Sequence, residues 1–173
     1  PYVGTYYYDF NNGGSAYLSN MTMFNNLLNT MSIQMWVQFP TTPTGQSLFS
    51  RTYGNGAGWA FRATAGQFNL VKYNIADQYS NGSFSLTTNT WYHIAVVQGG
   101  TSLMFMLNGV IVGSMSSDNN NFANTLYPFT LCTDAYIGST LSLKIGTFKI
   151  WDTFRTSSQI LSDFNTEKAT YGY

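Results

Sequence analysis

The chain has 173 residues, enough for one domain with one sizeable core and too few for two ordinary domains. Hydrophobic residues make up 44%, but Asp, Glu, Lys and Arg together only 8%, far below the share of about 25% usual in soluble domains, so the surface has to be built from Asn, Thr, Ser, Gln, Gly and Tyr. Seven cations balance seven acids with no run of either sign, which excludes a phosphate-neutralising surface and hence nucleic acid as a partner; the absence of any long apolar stretch excludes membrane insertion by a helix.

Turn chemistry punctuates the chain. Asn-Gly occurs at 12–13, 55–56, 81–82 and 108–109, and Gly-Gly at 13–14 and 99–100, residue types that tolerate the positive φ of tight hairpins. Between them, runs with a period of two predict strands. The first lies near 15–19. In "MSIQMWVQF" the residues Ile33, Met35, Val37 and Phe39 fall on one face and Ser32, Gln34, Trp36 and Gln38 on the other, which predicts a half-buried strand. Further strands are predicted near 46–51, 58–64, 67–73 and 84–88. The segments "WYHIAVV" and "LMFML" are apolar on both faces, as strands in the middle of a sheet should be. A two-residue turn at Asn108-Gly109 pairs Leu107 with Val110 and Phe105 with Val112.

Strands near 127–132, 135–139 and 144–152 follow. The one good helix signal is "TSSQILSDFN", where Thr156 or Ser157 can cap and Ile160, Leu161 and Phe164 form an apolar stripe. A single short helix beside a dozen strands means an all-β protein, and strands at this spacing predict two antiparallel sheets packed face to face. The single Cys132 cannot form an internal disulfide and reads as a small buried hydrophobe. Pro1 in place of an initiator methionine points to a processed product or to one domain, 1–173, excised from a larger protein.

The series "MSIQMWVQF", "SLFSR", "NTWYHIAVVQGGTSLMFMLNGVIVGS", "AYIGS" and "LKIGTFKIWDTFRTSSQILSDF" resembles the laminin-G/pentraxin-like branch of the concanavalin A-like lectin/glucanase superfamily, from about Tyr6 to Phe164. Trp36-Val37, Trp91 through Ala95, Asn108-Gly109, Tyr136-Ile137-Gly138 and Gly146 through Asp152 match the family's motifs in order. The resemblance implies a two-sheet antiparallel jelly-roll sandwich with one short C-terminal helix. Thr147 and Asn108 depart from it, since relatives often carry an acid after the glycine and Asp in the hairpin; both changes remove charge that calcium binding would use.

Catalysis finds little support in these residues. A retaining glycosidase needs two carboxyl groups about 5–5.5 Å apart, and the chain holds one glutamate, Glu167, near its end, without the Glu-x-Asp-type pair of related glucanases. Lyase chemistry would need a base beside cationic groups, but Tyr92 and His93 are neighbours on one strand and point to opposite faces. His93 therefore reads as a scaffold histidine with a hydrogen-bonded partner, and no catalytic residue is assigned. No cofactor is required. If a metal binds, it is calcium, for which "SSDNNNFANT" with Asp118, Asn119, Asn120 and Asn121, joined by Asp134, is the best oxygen source; Asp9, Asn11 and Asn12 form a second candidate, and a polar surface loop is the bland alternative to both.

Binding remains. Neutral sugars are held by aromatic stacking and by amide or hydroxyl hydrogen bonds, neither of which needs charge. Trp36 and Trp91 are assigned to the core. Tyr53, Asn55, Trp59, Tyr79, Asn81 and Tyr127 lie in turn-rich segments and are the candidate ligand-binding residues, although a loop aromatic can equally cover the edge of a sandwich. Asn20 and Asn81 head glycosylation sequons. Together these readings predict a non-enzymatic, lectin-like adhesion module, extracellular or on a cell or virion surface, that binds neutral glycans through rim loops. The alternative is a structural domain of a virion surface, fibre or adhesin stalk that packs against neighbouring protein subunits, for which a nearly charge-free surface lowers the desolvation cost.

Overall fold

A computed structural model describes residues 8–10, 14–18, 30–53, 57–73, 76–80, 84–117, 128–134, 139–140 and 142–173. In chain order the strands are β1 (Tyr8–Asp9), β2 (Ala16–Leu18), β3 (Thr30–Gln38), β4 (Thr44–Tyr53), β5 (Ala57–Thr64), β6 (Phe68–Lys72), β7 (Ala76–Tyr79), β8 (Trp91–Gly99), β9 (Ser102–Leu107), β10 (Val110–Ser116), β11 (Phe129–Leu131), β12 (Thr133–Asp134), β13 (Ser139–Thr140) and β14 (Lys144–Trp151). Helix α1 (Ser157–Glu167) and a 3-10 turn (Lys168–Tyr171) close the chain. Among the described residues no helix is long and apolar enough to cross a membrane.

Two six-stranded antiparallel sheets, ordered β1-β14-β3-β8-β9-β10 and β2-β11-β4-β5-β6-β7, face each other as a jelly-roll sandwich, and β12-β13 forms a small extra pair. The alternation along each strand decides what lies between the sheets. Ile33, Met35, Val37, Ile94, Val96 and Phe105 come from the first sheet, and Phe49, Trp59, Phe61, Phe68, Leu70 and Phe129 from the second. Their rings meet across the interior: Phe61 stacks on Phe105 at 6.1 Å between centroids, and Phe129 packs on Phe148 at 5.7 Å. Cys132 is fully buried here, and burial pushes its thiol up to about 12, so it acts as the apolar filler its sequence context predicts.

The "half-buried" reading of β3 does not hold, because Ser32, Gln34 and Trp36 are as buried as the core face. The reason is α1, which lies on the outer face of the first sheet. Ile160 joins Ala95, Val97, Met104 and Met106 in a second apolar cluster, and Gln34 Nε2 and Trp36 Nε1 donate to Asp163 and Glu167 at 2.8 Å each. Leu161, predicted to share the buried stripe, is 42% exposed, and Ile160 and Phe164 alone supply the buried positions of α1.

Two further expectations change. Val110 pairs with Leu107 as predicted, but a β-bulge after Ile111 sets Phe105 opposite Gly113 instead of Val112, since two residues there oppose one. The segment 84–88 is irregular despite the alternation of Phe84 and Leu86, and the strand of this region is β7 at Ala76–Tyr79. Its backbone is satisfied elsewhere: Leu86 N–H donates to Ala65 and Thr87 N–H to the Tyr92 hydroxyl, which leaves no ladder to join. Of the strand predicted at 135–139, residues 135–138 lie outside the described residues and Ser139 begins β13.

Candidate functional site

The outer face of the second sheet carries a polar recess of about 180 Å³, lined by Gly45, Arg62, Ala63, Thr64, Gln67 and Asn69. It lies at the end of the β4–β5 pair where Thr44 stands opposite Thr64, away from the hairpin that joins Tyr53 to Ala57. Strand alternation builds it. Phe61, Ala63, Phe68 and Leu70 turn into the core, so Arg62 and Asn69 turn out, and the register places those two directly opposite each other. The β5–β6 turn completes the rim: Thr64 N–H donates to the Gln67 carbonyl at 2.9 Å, and Gln67 Nε2 donates to the Ser80 carbonyl at 3.2 Å.

Two polar groups give the recess its chemistry. The Arg62 guanidinium donates through Nη2 to the Tyr73 hydroxyl and stands 5.5 Å over the Tyr73 ring, which fixes the plane of its fork. Asn69 is 91% buried, and its carbonyl oxygen Oδ1 has no hydrogen-bond partner among the described residues. A buried acceptor left without a donor costs about 1–3 kcal/mol.

A second hollow of about 380 Å³ opens where the edge strands of the two sheets meet, between Tyr8, Phe10, Leu131, Ile145 and Phe148. Its lining offers contact area but few directed polar groups. On the opposite sheet face, His93 is 1% exposed and pressed between Trp36 and Phe164, with centroids at 5.2 and 5.8 Å. The hydrogen-bonded partner expected for its ring is not there: both ring nitrogens lack one among the described residues. Burial, and after it the nearby Lys149, pushes the imidazole down to about 4, so it stays neutral and closed off from solvent.

The predicted ligand-binding residues fare unevenly. Trp59 is 1% exposed and packs against Phe49 and Phe129 at 5.9 Å each, so its ring offers no face to a ligand; it sits in a strand whose alternation turns it inward. The backbone of Tyr53 ends β4 at the far end from the recess, whereas that of Tyr79 lies opposite Asn69 in β7, beside it. Asn55, Asn81 and Tyr127 lie outside the described residues, as do Asp118, Asn119, Asn120 and Asn121. Asp134 contributes its backbone to β12. Among the described residues no three His, Cys, Asp or Glu side chains gather to hold a metal. Arg62, Thr64, Gln67 and Asn69 were not singled out in the sequence, yet the alternation in "WAFRATAGQFNL" marks the outward positions of Arg62, Thr64 and Asn69.

The fold and this site can be set beside known proteins. The binding domain of botulinum neurotoxin DC, solved in complex with SialylT, superposes with a TM-score of 0.66 at 15% identity, over 88% of this chain and 39% of that one. Domain 4 of AbnA, a GH43 extracellular arabinanase from Geobacillus stearothermophilus, in complex with arabinotriose, gives 0.66 at 18% identity over 90% and 79%. A heptameric SAP-like pentraxin from Limulus polyphemus gives 0.63 at 16% identity over 78% and 69%. The chain thus spans about two-fifths of the toxin binding domains it matches, and identities this low carry the fold alone. No curated protein matches the chain in sequence. A laminin G family model described as concanavalin A-like lectin/glucanases superfamily matches residues 10–161. With that match over most of the chain, and the two-sheet sandwich beneath it, the protein belongs to the concanavalin A-like lectin/glucanases superfamily.

Proposed function

We propose that the protein is a non-catalytic glycan-binding module and that the recess on the second sheet is where it holds its ligand. The observation that carries this reading is the small polar recess on the outer face of the second sheet, lined by Arg62, Thr64, Gln67 and Asn69. Sugar hydroxyls pair with amide, hydroxyl and guanidinium groups of this kind, and the recess is smaller than the roughly 300–1,000 Å³ of drug-sized pockets, which suits one monosaccharide unit. Two structural neighbours solved with the saccharide-type ligands SialylT and arabinotriose support the same class of partner. The site lies on a sheet face rather than in the rim loops. Against catalysis, the Asp163 and Glu167 carboxylates are engaged with Lys149, Arg155, Gln34 and Trp36 under α1, away from either hollow.

Isothermal titration or NMR titration with a saccharide panel tests the reading. Saturable binding that shifts the resonances of residues 62–69 and disappears in Asn69→Leu is the expected result; binding that maps elsewhere, or none across the panel, overturns it. The reading as an assembly domain has its own support in Tyr8 and Tyr17, 74% and 63% exposed at the sandwich edge. Sedimentation at rising concentration checks it, with self-association lost in Tyr8→Ser and Tyr17→Ser as the supporting outcome.

A further inference from the structure

We propose that the C-terminal segment, α1 with the 3-10 turn, is an acid-sensitive latch on the outer face of the first sheet, in which a proton taken up by His93 favours the undocked segment. The face beneath the segment is aromatic. Trp36 stacks on Tyr171 at 4.2 Å and on Phe164 at 5.6 Å, and Trp91 packs on Tyr171 at 5.0 Å. His93 stands opposite Trp36 across the β3–β8 ladder and packs against the Phe164 ring. Its imidazole is buried with no hydrogen-bond partner for either ring nitrogen among the described residues, so a proton arriving there creates a cation with two N–H donors and no acceptor. Undocking gives both donors to water.

The groups around the ring do not offset that penalty. Lys149 faces it from β14 and opposes a further cation, whereas Asp163 on α1 favours one. Asp163 is already engaged by Gln34, Lys149 and Arg155, and Glu167 by Trp36 and Lys149. Burial works to raise the Asp163 carboxyl, but the Gln34 hydrogen bond and the two cations hold it below 3.8, so this clamp stays charged while His93 titrates. Lys168 stands 5.7 Å over the Phe164 ring and adds positive charge on that side. The Tyr171 hydroxyl accepts from Thr147 N–H at 2.7 Å, and the Tyr173 hydroxyl donates to the Trp91 carbonyl and accepts from Asn108 Nδ2. The segment is held lightly enough to respond. Only Ile160 and Phe164 of α1 are buried, and Asp152, Thr153 and Phe154, which connect it to β14, are exposed. Ser32 Oγ donates to the Thr153 carbonyl and accepts from Arg155 N–H, which pins that connection to β3 and places the hinge at Thr156.

The test is amide hydrogen exchange of the whole chain from pH 7.5 to 5, corrected for the intrinsic exchange rate. Burial holds the docked ring down at about 4 while the undocked ring keeps its ordinary 6.5, so acid favours release below pH 6.5 and has no effect above it. Amides 161–164 of α1 should be less protected than those of β5 at every pH, because they open without the sandwich unfolding. From the same two values, their opening should rise roughly 30-fold between pH 7.5 and 5. His93→Phe, which keeps a ring in place without a titrating group, should abolish the rise, and Asp163→Asn should loosen α1 to a similar degree at both ends of the range. Equal protection of α1 and β5 throughout, or a rise that survives in His93→Phe, overturns the latch. The wild type supplies a check that needs no variant: the chain holds one histidine, so a single imidazole NMR signal follows His93, and a signal that titrates at 6.5 while α1 stays protected also overturns the proposal.

Discussion

Asn69 shows how one atom can trade stability against function. Its Oδ1 is buried and has no donor among the described residues, so Asn69→Leu, similar in volume and free of that acceptor, is expected to raise the midpoint of thermal unfolding while abolishing saccharide binding. Scanning calorimetry and a titration on the same preparation check both halves. His93 makes the opposite case, a polar residue held as scaffold. Its ordinary value of 6.5 falls to about 4 in the fold, so below pH 6.5 the unfolded chain takes up a proton that the native state refuses. Stability should be unaffected above pH 6.5 and decline as pH falls toward 4, by about 3 kcal/mol in all. Denaturant titrations from pH 7.5 to 4 should show this decline, and His93→Phe should lose most of it. Asp163 adds a separate loss at lower pH. Burial works to raise its carboxyl, but the Gln34 hydrogen bond and the charges of Lys149 and Arg155 outweigh that and hold it below 3.8, so its contribution is lost as pH falls through that lowered value. Trp59 belongs to the same scale. As a core residue its replacement by Ala should cost about 3–5 kcal/mol, and ligand affinity in the fraction that remains folded should be unchanged.

At the scale of elements, the C-terminal helix is both the most legible feature and the most consequential. Of the two caps the sequence offers, Thr156 and Ser157, the helix uses Thr156, and in a capping box: Gln159 N–H donates to the Thr156 hydroxyl and Thr156 N–H to the Gln159 side chain. Thr156→Ala should therefore lower stability by about 1 kcal/mol in urea unfolding, without changing the strands. What "TSSQILSDFN" does not disclose is where the helix docks. Its landing site is the outer face of β3 and β8, where Trp36 stacks on Tyr171 at 4.2 Å, and the Tyr173 hydroxyl donates to the Trp91 carbonyl at 2.6 Å. The polar residues of β3 had read as solvent-facing because alternation records which residues share a face and not what covers that face. The Asn108-Gly109 turn behaves as its sequence demands, with φ of 51° and 77°, and the helix packs close over it. A Cβ at Gly109 would meet the Leu161 side chain at 2.6 Å, so Gly109→Ala should destabilise the hairpin and the helix contact together.

For the whole molecule, the binding chemistry proposed here needs no metal. The side chains of Arg62, Thr64, Gln67 and Asn69 include no carboxylate to hold calcium, so EDTA should leave saccharide affinity unchanged in a titration run with and without the chelator. The all-β class, most of the strands, the central position of β8 and β9 and the superfamily could be read from the order of the residues, because side-chain periodicity and turn chemistry act over a few positions. The candidate site could not. Arg62 and Asn69 come together only through the pairing of β5 with β6, and Trp59, which the sequence offers as a ligand platform, is turned inward against Phe49 and Phe129. The sequence by itself determined the local elements and the apolar faces that had to meet. The tertiary structure decided which faces were left open and which cation stood across from Asn69, since burial and partnership arise between segments distant in the chain.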